Sequence, residues 1–582
     1  MEALQPSNSE LNPLMDKLRR EKKAAREMQE RKWSDWNENY ELSRNKVKTN
    51  RLTQRQAVNI PLMKETEKTL LSRIDDPPKV DWSEKGGDEQ KEIVFQEVWN
   101  MKFKRDKFEW KDTVDKKNVL RYGLSTKMLN ICETGVDVDV MDVFDILWDP
   151  LMNPIDIETA RFIVRQNIYK SLRDILADDR YTKEGKEQLE KYKMSAAGIV
   201  ESAKNAEAAK EKNDRLVAMG VERSDFALFA GGDVVVNITE HYTKVWNGKE
   251  FEKRVVVYAD ESVELMDEKL SDLIGVDFWP FVLWSEDPET NDIYPDAICD
   301  LVRTPNKVLN IFYSQLIENR TLRNFQMHWY DATKQGYVPQ TYEPGPGRML
   351  PAPGNPNETI MPVAVDGLDE TLNSMEYITQ VVERATGATA IQKGVGEQTQ
   401  QTLGEVKILV GEAQERATAM TKFYRISWYE TAWKWAEMMM ANPPKEISLY
   451  KTGRSGKMYG KKVYPSDWMT KWGYEPVVSS TSEQETEQTK AIQKLQFVMS
   501  LSPQNMALRK ITMKRANEMV DFTPEELREV EAAEDQMQQQ AAMQAQPQPG
   551  QPQAQPQAQP QAQPQEEDIA PELEQLQQLM GA

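Results

Sequence analysis

Two stretches near the middle of the chain carry apolar residues at three- and four-residue spacing, with a polar run between them. Leu368, Leu372, Met375, Ile378, Val381, Val382 and Ala385 fall on one stripe and predict a helix from about Leu368 to Arg384. The run ATGATAIQKGVGEQTQQT then breaks it, because Gly387, Gly394 and Gly396 are poor helix residues and Thr and Gln add no core. A second helix starts near Leu403 and runs to about Ala441 through Val406, Leu409, Ala413, Ala417, Met420, Phe423, Ile426, Trp433 and Met440. Unbroken, it would be about 55–60 Å long. Asn442-Pro443-Pro444 stops it.

Upstream, Ile298, Leu301, Val302, Val308, Leu309, Phe312 and Leu316 make the stretch 279–326 read as helical, with Pro305 marking a start or a kink. Residues 327–365 break the pattern with Pro339, Pro344, Pro346, Pro351, Pro353 and Pro356, which favour turns and short strands over any long helix. The segments DVVVNITEHYTKVW and FEKRVVVYAD flank Asn247-Gly248, a dipeptide suited to the positive φ angles of a tight turn, and predict a hairpin over 233–259. Val136, Val138 and Val140 alternate with Asp, the period of a strand with one buried face, which Trp148-Asp149-Pro150 ends. Further helices are expected over Ile93–Lys117 and from an Asp156 cap through Ala160, Phe162, Ile163, Ile168 and Leu172. The charged stretch Lys17–Lys32 reads as a solvated helical face, and the Lys/Glu/Ala-rich residues 182–219 as an exposed helical excursion. Short β-like pieces return at 445–475, and helices at 482–535, where Thr523-Pro524 has the form of a cap and helix start. From Gln538 to Gln565 a Gln/Ala/Pro repeat packs no core and reads as a disordered linker. Glu566 to Ala582 has the pattern of a short amphipathic helix on Leu573, Leu576 and Leu579. The fold class is α+β, mainly helical.

Charge narrows the function. The 582 residues hold 74 Lys and Arg against 94 Asp and Glu, a formal net charge of −20. Gripping nucleic acid over a whole surface needs cations to displace counterions, so that class is disfavoured. A protein that DNA must pass without sticking is compatible with it. Cys132 and Cys299, the only cysteines, make no disulfide scaffold and read as small buried side chains in a reducing compartment. His241 and His328 are too few for a zinc cluster or a Ser-His-Asp site, and neither HExxH nor GxSxG occurs. GRSGKMYGKK lacks the spacer and the Lys-Ser/Thr ending of a phosphate-binding loop, and is better read as a basic turn. The acid pairs Asp75-Asp76 and Asp178-Asp179 read as solvated charge before a metal-dependent nuclease. Trp428, Tyr429, Trp433 and Trp435, at helical spacing, read as core or subunit contact before base stacking. No catalytic residue, metal or cofactor is expected. The N-terminal sequence lacks a signal-peptide core, and no run of about 18 apolar residues spans a membrane, so a soluble, unexported protein is expected.

This order of elements resembles the portal proteins of tailed bacteriophages, most closely the larger portals of short-tailed phages. The resemblance covers roughly residues 90–535. It rests on Trp148-Asp149-Pro150 after an acidic strand, and on Pro305-Asn306-Lys307-Val308-Leu309-Asn310 with Ser314-Gln315. The Pro-rich insert and Ala385-Thr386-Gly387-Ala388-Thr389-Ala390-Ile391 ahead of the long helix complete it. It implies a wing over 1–291, paired stem helices at 292–326 and 366–385, and between them a clip at 327–365. A tunnel loop at 386–402, a long wing helix with β segment at 403–475, a crown at 476–535 and a tail at 536–582 follow. Thr386, Thr389, Gln392, Lys393, Gln398 and Gln400 would then face DNA, and Tyr337, Tyr342 and Arg348 would meet partners at the clip.

The resemblance further implies a homo-oligomeric ring of about twelve copies. The ring would sit at the portal vertex of the virion, after synthesis in the host cytoplasm, with no membrane involved. Its partners would be the terminase large subunit, a tail adaptor protein, the major capsid protein and a scaffold protein, with double-stranded DNA passing non-specifically. The packaging ATPase would be the separate terminase, in keeping with the missing phosphate loop. An acidic lining repels phosphates and keeps DNA mobile. Lys393 would brush the backbone transiently or remain a solvated loop lysine. Two rivals stand beside this reading: another head-tail adaptor or assembly protein without a channel, and a nucleic-acid enzyme.

Overall fold

The computed structural model describes residues 13–46, 58–72, 74, 79–195, 198–202, 204–205, 234–324, 328–330, 355, 360–362, 367, 369–388, 403–452 and 458–479. All belong to one unit, Met1–Thr486. The expected helices 482–535, the Gln/Pro-rich tail and residues 206–219 of the 182–219 excursion lie outside the described residues. Helix outweighs strand about two to one, a mixed α+β fold.

The helices are α1 (Pro13–Ser43), α2 (Leu62–Leu71), α3 (Glu89–Arg105), α4 (Phe108–Tyr122), α5 (Leu172–Ala177) and α6 (Lys183–Lys193). They continue with α7 (Leu270–Ile274), α8 (Ile298–Asn324), α9 (Asp369–Thr386) and α10 (Leu403–Ala441). The two long central helices stand where the apolar stripes put them. At 39 residues, α10 is about 58 Å long.

The largest sheet is five-stranded and antiparallel, with strands in chain order: β4 (Ile146–Trp148), β5 (Phe162–Ser171), β6 (Val235–Trp246), β7 (Phe251–Ala259) and β8 (Val263–Lys269). A three-stranded sheet places β2 (Leu124–Cys132) between β3 (Gly135–Met141) and β9 (Phe281–Ser285). Three two-stranded pairs complete the set. They join β1 (Lys79–Glu84) to β14 (Tyr474–Ser479), β10 (His328–Tyr330) to β11 (Ile360–Pro362), and β12 (Ile447–Thr452) to β13 (Met458–Val463). The hairpin of β6 and β7 is present, closed by four residues because Trp246 pairs with Phe251. Gly248 supplies the positive φ, while the Asn247 side chain accepts from the Lys249 and Glu250 amides.

Several sequence expectations give way to tertiary pairing. The helix expected from Asp156 is only a single turn, Ile157–Thr159, capped by the Asp156 carboxylate at 3.0 Å from the Glu158 amide. After it the β-branched run Phe162–Ser171 becomes the second strand of the large sheet, buried between β4 and β6. The expected strand over 136–150 is two strands in different sheets, β3 and β4. The stretch from 93 to 117 is two helices, separated at Lys107, whose φ is +54°. The helical reading of 279–326 overlooked β9, and Pro305 lies inside α8 instead of at its start. Nor is α1 a solvated stripe, since Lys22, Gln29 and Trp36 are buried, Lys22 bonding to Thr239 and Gln29 to the Val143 and Ile146 carbonyls. Likewise α6 packs on β8: Leu189 is buried, and a Cβ on Gly185 would meet the Glu264 carbonyl at 2.4 Å.

The main core is aromatic. Trp82, Phe95, Trp99, Trp428, Trp435 and Tyr474 join α3, β1, β14 and the C-terminal half of α10, with Phe95 and Tyr474 stacked at 3.9 Å. This settles the Trp-rich segment of α10 as largely core. Trp428 and Trp435 are buried, Trp433 packs on Phe278, and Tyr429 alone of the four is exposed.

Candidate functional site

The helix pair α8 and α9 is built from the two stripes that flank the Pro-rich insert. Val302 and Leu309 of α8 and Met375 and Val382 of α9 are buried in one cluster with Leu62 and Met63 of α2. Beyond α8 the chain forms a short antiparallel ladder, Trp329 opposite Met361, before it returns through α9. The insert therefore leaves and re-enters the helix pair through paired strands, as the proline content required. Tyr337, Tyr342 and Arg348 lie inside it, outside the described residues. The pair also presents apolar side chains outward: Leu301, Ile311, Tyr313 and Ile317 on α8, and Leu372, Tyr377 and Val381 on α9. Such a run on two adjacent helices has the character of a contact surface.

The end of α9 is fixed. Thr386 is its last residue and is buried, its hydroxyl donating to the Val382 carbonyl at 2.8 Å and accepting from the Ala388 amide at 3.3 Å. Gly387 follows at φ +71°, the left-handed turn that ends many helices. Thr386 is thus an anchor and not part of an exposed loop face, because its hydroxyl is taken up by the helix end. Thr389, Gln392, Lys393, Gln398 and Gln400 lie outside the described residues, between this anchor and the start of α10.

The far half of α10 is held by a buried polar cluster. Lys127 of β2 lies 3.0 Å from the Asp115 carboxylate and donates to Ser427 of α10 at 2.8 Å. Trp284 of β9 donates to the same Asp115 carboxylate at 2.8 Å. Beside it Lys116 pairs with Asp112 at 2.8 Å, and Tyr424 and Trp428 of α10 donate to Asp112. Burial pushes the Asp112 carboxyl up, against the pull of Lys116. Further along α10, Lys434 donates to the Phe281 carbonyl at 2.7 Å and Trp435 to the Val136 carbonyl at 2.9 Å. Charged residues of α4 and β2 thus clamp one end of a helix whose other end meets the polar run. Sequence reasoning missed this cluster, because no spacing distinguishes a buried Asp112–Lys116 pair from a solvated one.

The remaining reactive groups are structural. His241 is fully buried with Nε2 3.0 Å from Glu21, and burial lowers its pKa against the pull of that carboxylate. Cys299 is buried in the cluster beneath α8 and α9, and its thiol is pushed far up by burial. Cys132 is half-buried, 3.6 Å from the Lys102 amine, in a group with Thr134 and Asp137. Asp106, across the same amine, has its carboxyl pushed up to about 6, by burial first and then by Asp137. Among the described residues no group of three or more His, Cys, Asp or Glu is placed to hold a metal, and no helix is long and apolar enough to cross a membrane.

A helix pair around an insert, followed by a polar run and a braced long helix, makes a structural subunit of the portal class. The family model for the phage SU10 portal protein matches residues 34–578. The chain belongs to that family, among the portals of short-tailed phages, which is structural and not enzymatic. No curated protein matches the chain.

Proposed function

We propose that the protein assembles into a ring of about twelve copies that forms the DNA channel at one capsid vertex. It docks the terminase large subunit during packaging and the tail adaptor afterwards, and it passes the genome in ejection. The major capsid and scaffold proteins surround it during assembly. The observation that carries this reading is the family match across 34–578. The outward apolar side chains of α8 and α9 support it, because a closed ring needs two different complementary faces on every copy. The net charge of −20 supports a lining that DNA slides past.

In this reading the insert between α8 and α9 is the clip, with Tyr337, Tyr342 and Arg348 toward the motor and adaptor. The segment 389–402 is the tunnel loop, in which Thr389, Gln392, Gln398 and Gln400 meet phosphates weakly and Lys393 is its cation. Thr386 and Gly387 hold one end of that loop still. The crown, expected from 476 to 535, starts after Ser479, because β14 pairs with β1 up to that residue.

Negative-stain microscopy of the purified chain tests the ring: annuli with a central hole are expected, and monomers or open filaments would refute it. Deletion of 389–402 tests the loop. Rings should still form while DNA packaging or retention fails, and normal packaging would overturn the assignment.

A further inference from the structure

The motif Pro305-Asn306-Lys307-Val308-Leu309-Asn310 with Ser314 carries a feature that channel formation does not use. Asn306, Asn310 and Ser314 are four residues apart, so they form one line along α8. All three are buried. Polar side chains in line on a buried helix face weaken a helix unless they find partners. Here each accepts from a backbone amide of the chain that leads into α2, two from the residues before the helix and one from its first turn. The Val58 amide donates to Ser314 Oγ at 3.2 Å, the Ile60 amide to Asn310 Oδ1 at 2.8 Å, and the Met63 amide to Asn306 Oδ1 at 3.2 Å. The segment therefore runs antiparallel to α8.

Over the first step the periods match, since four helical residues rise about 6 Å and the two residues from Val58 to Ile60 span about 6.6 Å when extended; the second step, Ile60 to Met63, turns through Pro61 into α2. Pro61, which has no amide hydrogen, sits between the two donors Ile60 and Met63. At the segment's start, Asn45 and Asn59 each donate from their side chain to the other's carbonyl, at 3.3 Å both ways, which ties it to the end of α1. At its other end Leu62 and Met63 enter the same apolar cluster as Leu309 of α8 and Met375 and Val382 of α9. From there Glu67 of α2 grips Arg121 of α4 through two bonds of 2.7 and 2.9 Å.

We propose that residues 58–63 form a strap that sets the axial position of α8 against the wing, and that releasing it loosens the α8–α9 pair while the wing core stays folded. The ladder suits a releasable element because its three bonds are neutral and none is an ion pair. The ring reading is not needed for this, since the strap lies within one chain.

Hydrogen exchange on the full-length chain tests the proposal. In the variant Asn306→Ala/Asn310→Ala, amides of 58–63 and of α8 and α9 should exchange about tenfold faster, the effect of losing two bonds of ordinary net strength. Amides of β2 and β6 should keep their rates. Ile60→Pro removes a donor from the strap and leaves α8 intact, so it carries the same expectation if the double variant does not fold. Unchanged protection of α8 and α9 once the strap amides are freed would overturn the proposal. Equal acceleration of β2 and β6 would also overturn it, by making the ladder part of the wing core.

Discussion

The C-terminal half of α10 and the seam between α8 and α9 are both helix contacts, yet opposite chemistries hold them. At the first, Asp112, Asp115, Lys116 and Lys127 are buried together and bonded to Tyr424, Ser427 and Trp428. In the seam, Val302, Leu309, Met375 and Val382 form an apolar cluster, and Asn306 and Asn310 beside them accept from backbone amides. An ion pair in a low-dielectric site tolerates little displacement, because each charge left alone must be desolvated without compensation. Apolar side chains can slide against one another at smaller cost. The chain thus joins a rigid anchor on α10 to a compliant seam between α8 and α9.

The comparison can be broken most forcefully at Lys127. Lys127→Met should cost about 3–5 kcal/mol, because it leaves Asp115 buried with the Trp284 N–H as its remaining bonded partner in this cluster. Urea midpoints of the variant measure this. Adding Asp115→Asn should restore most of the loss, and no recovery would mean that packing, not charge, holds the anchor. Next in size is Leu309→Ala in the seam, expected to cost about 2–4 kcal/mol by leaving a cavity. A loss below about 1 kcal/mol would show a seam that collapses to fill the gap, more compliant than the contacts imply.

A third test lies at the junction of the two regions. Glu286, between β9 and α8, has its carboxyl pushed up to about 8 by burial, with Asp287 adding to it. The unfolded chain releases this proton near pH 4.3, about the ordinary value for Glu, whereas the folded chain keeps it to about 8. Across that window the native state binds more protons, so stability should fall as pH rises, by at most about 1.4 kcal/mol per unit. Glu286→Gln should flatten the fall, as unfolding free energies at pH 5 and pH 8 would reveal. Parallel curves for both proteins would remove Glu286 as the cause.

Where side-chain period decided the structure, the sequence was legible. The stripes over Leu368–Ala385 and Leu403–Met440 became α9 and α10, and prolines between 327 and 365 marked the insert that β10 and β11 enclose. Where distant strands compete, it was not. Phe162–Ser171 has an apolar spacing that fits a helix, and only pairing with β4 and β6 makes it a strand. Buried charge was equally hidden: Lys22 reads as part of a solvated face until Glu261 is placed beside it, and nothing in the sequence marked Lys127 as buried beside Asp115. The motif Asn306, Asn310 and Ser314 was visible as a resemblance, but its partner is backbone, which leaves no mark in side-chain identity.

The strap has one further consequence, for the order of events during synthesis. Val58 finds Ser314 across 256 positions, and Lys22 finds Glu261 across 239. The first helix and strap leave the ribosome long before their partners exist. Contacts so far apart close late, after nearer ones have formed. Until α8 emerges, Leu62 and Met63 have no seam to enter, and the nascent arm carries exposed apolar surface. A chain stalled before residue 298 should therefore fold its large sheet yet leave the strap protease-sensitive, and the strap's protection would then time the completion of the α8–α9 pair.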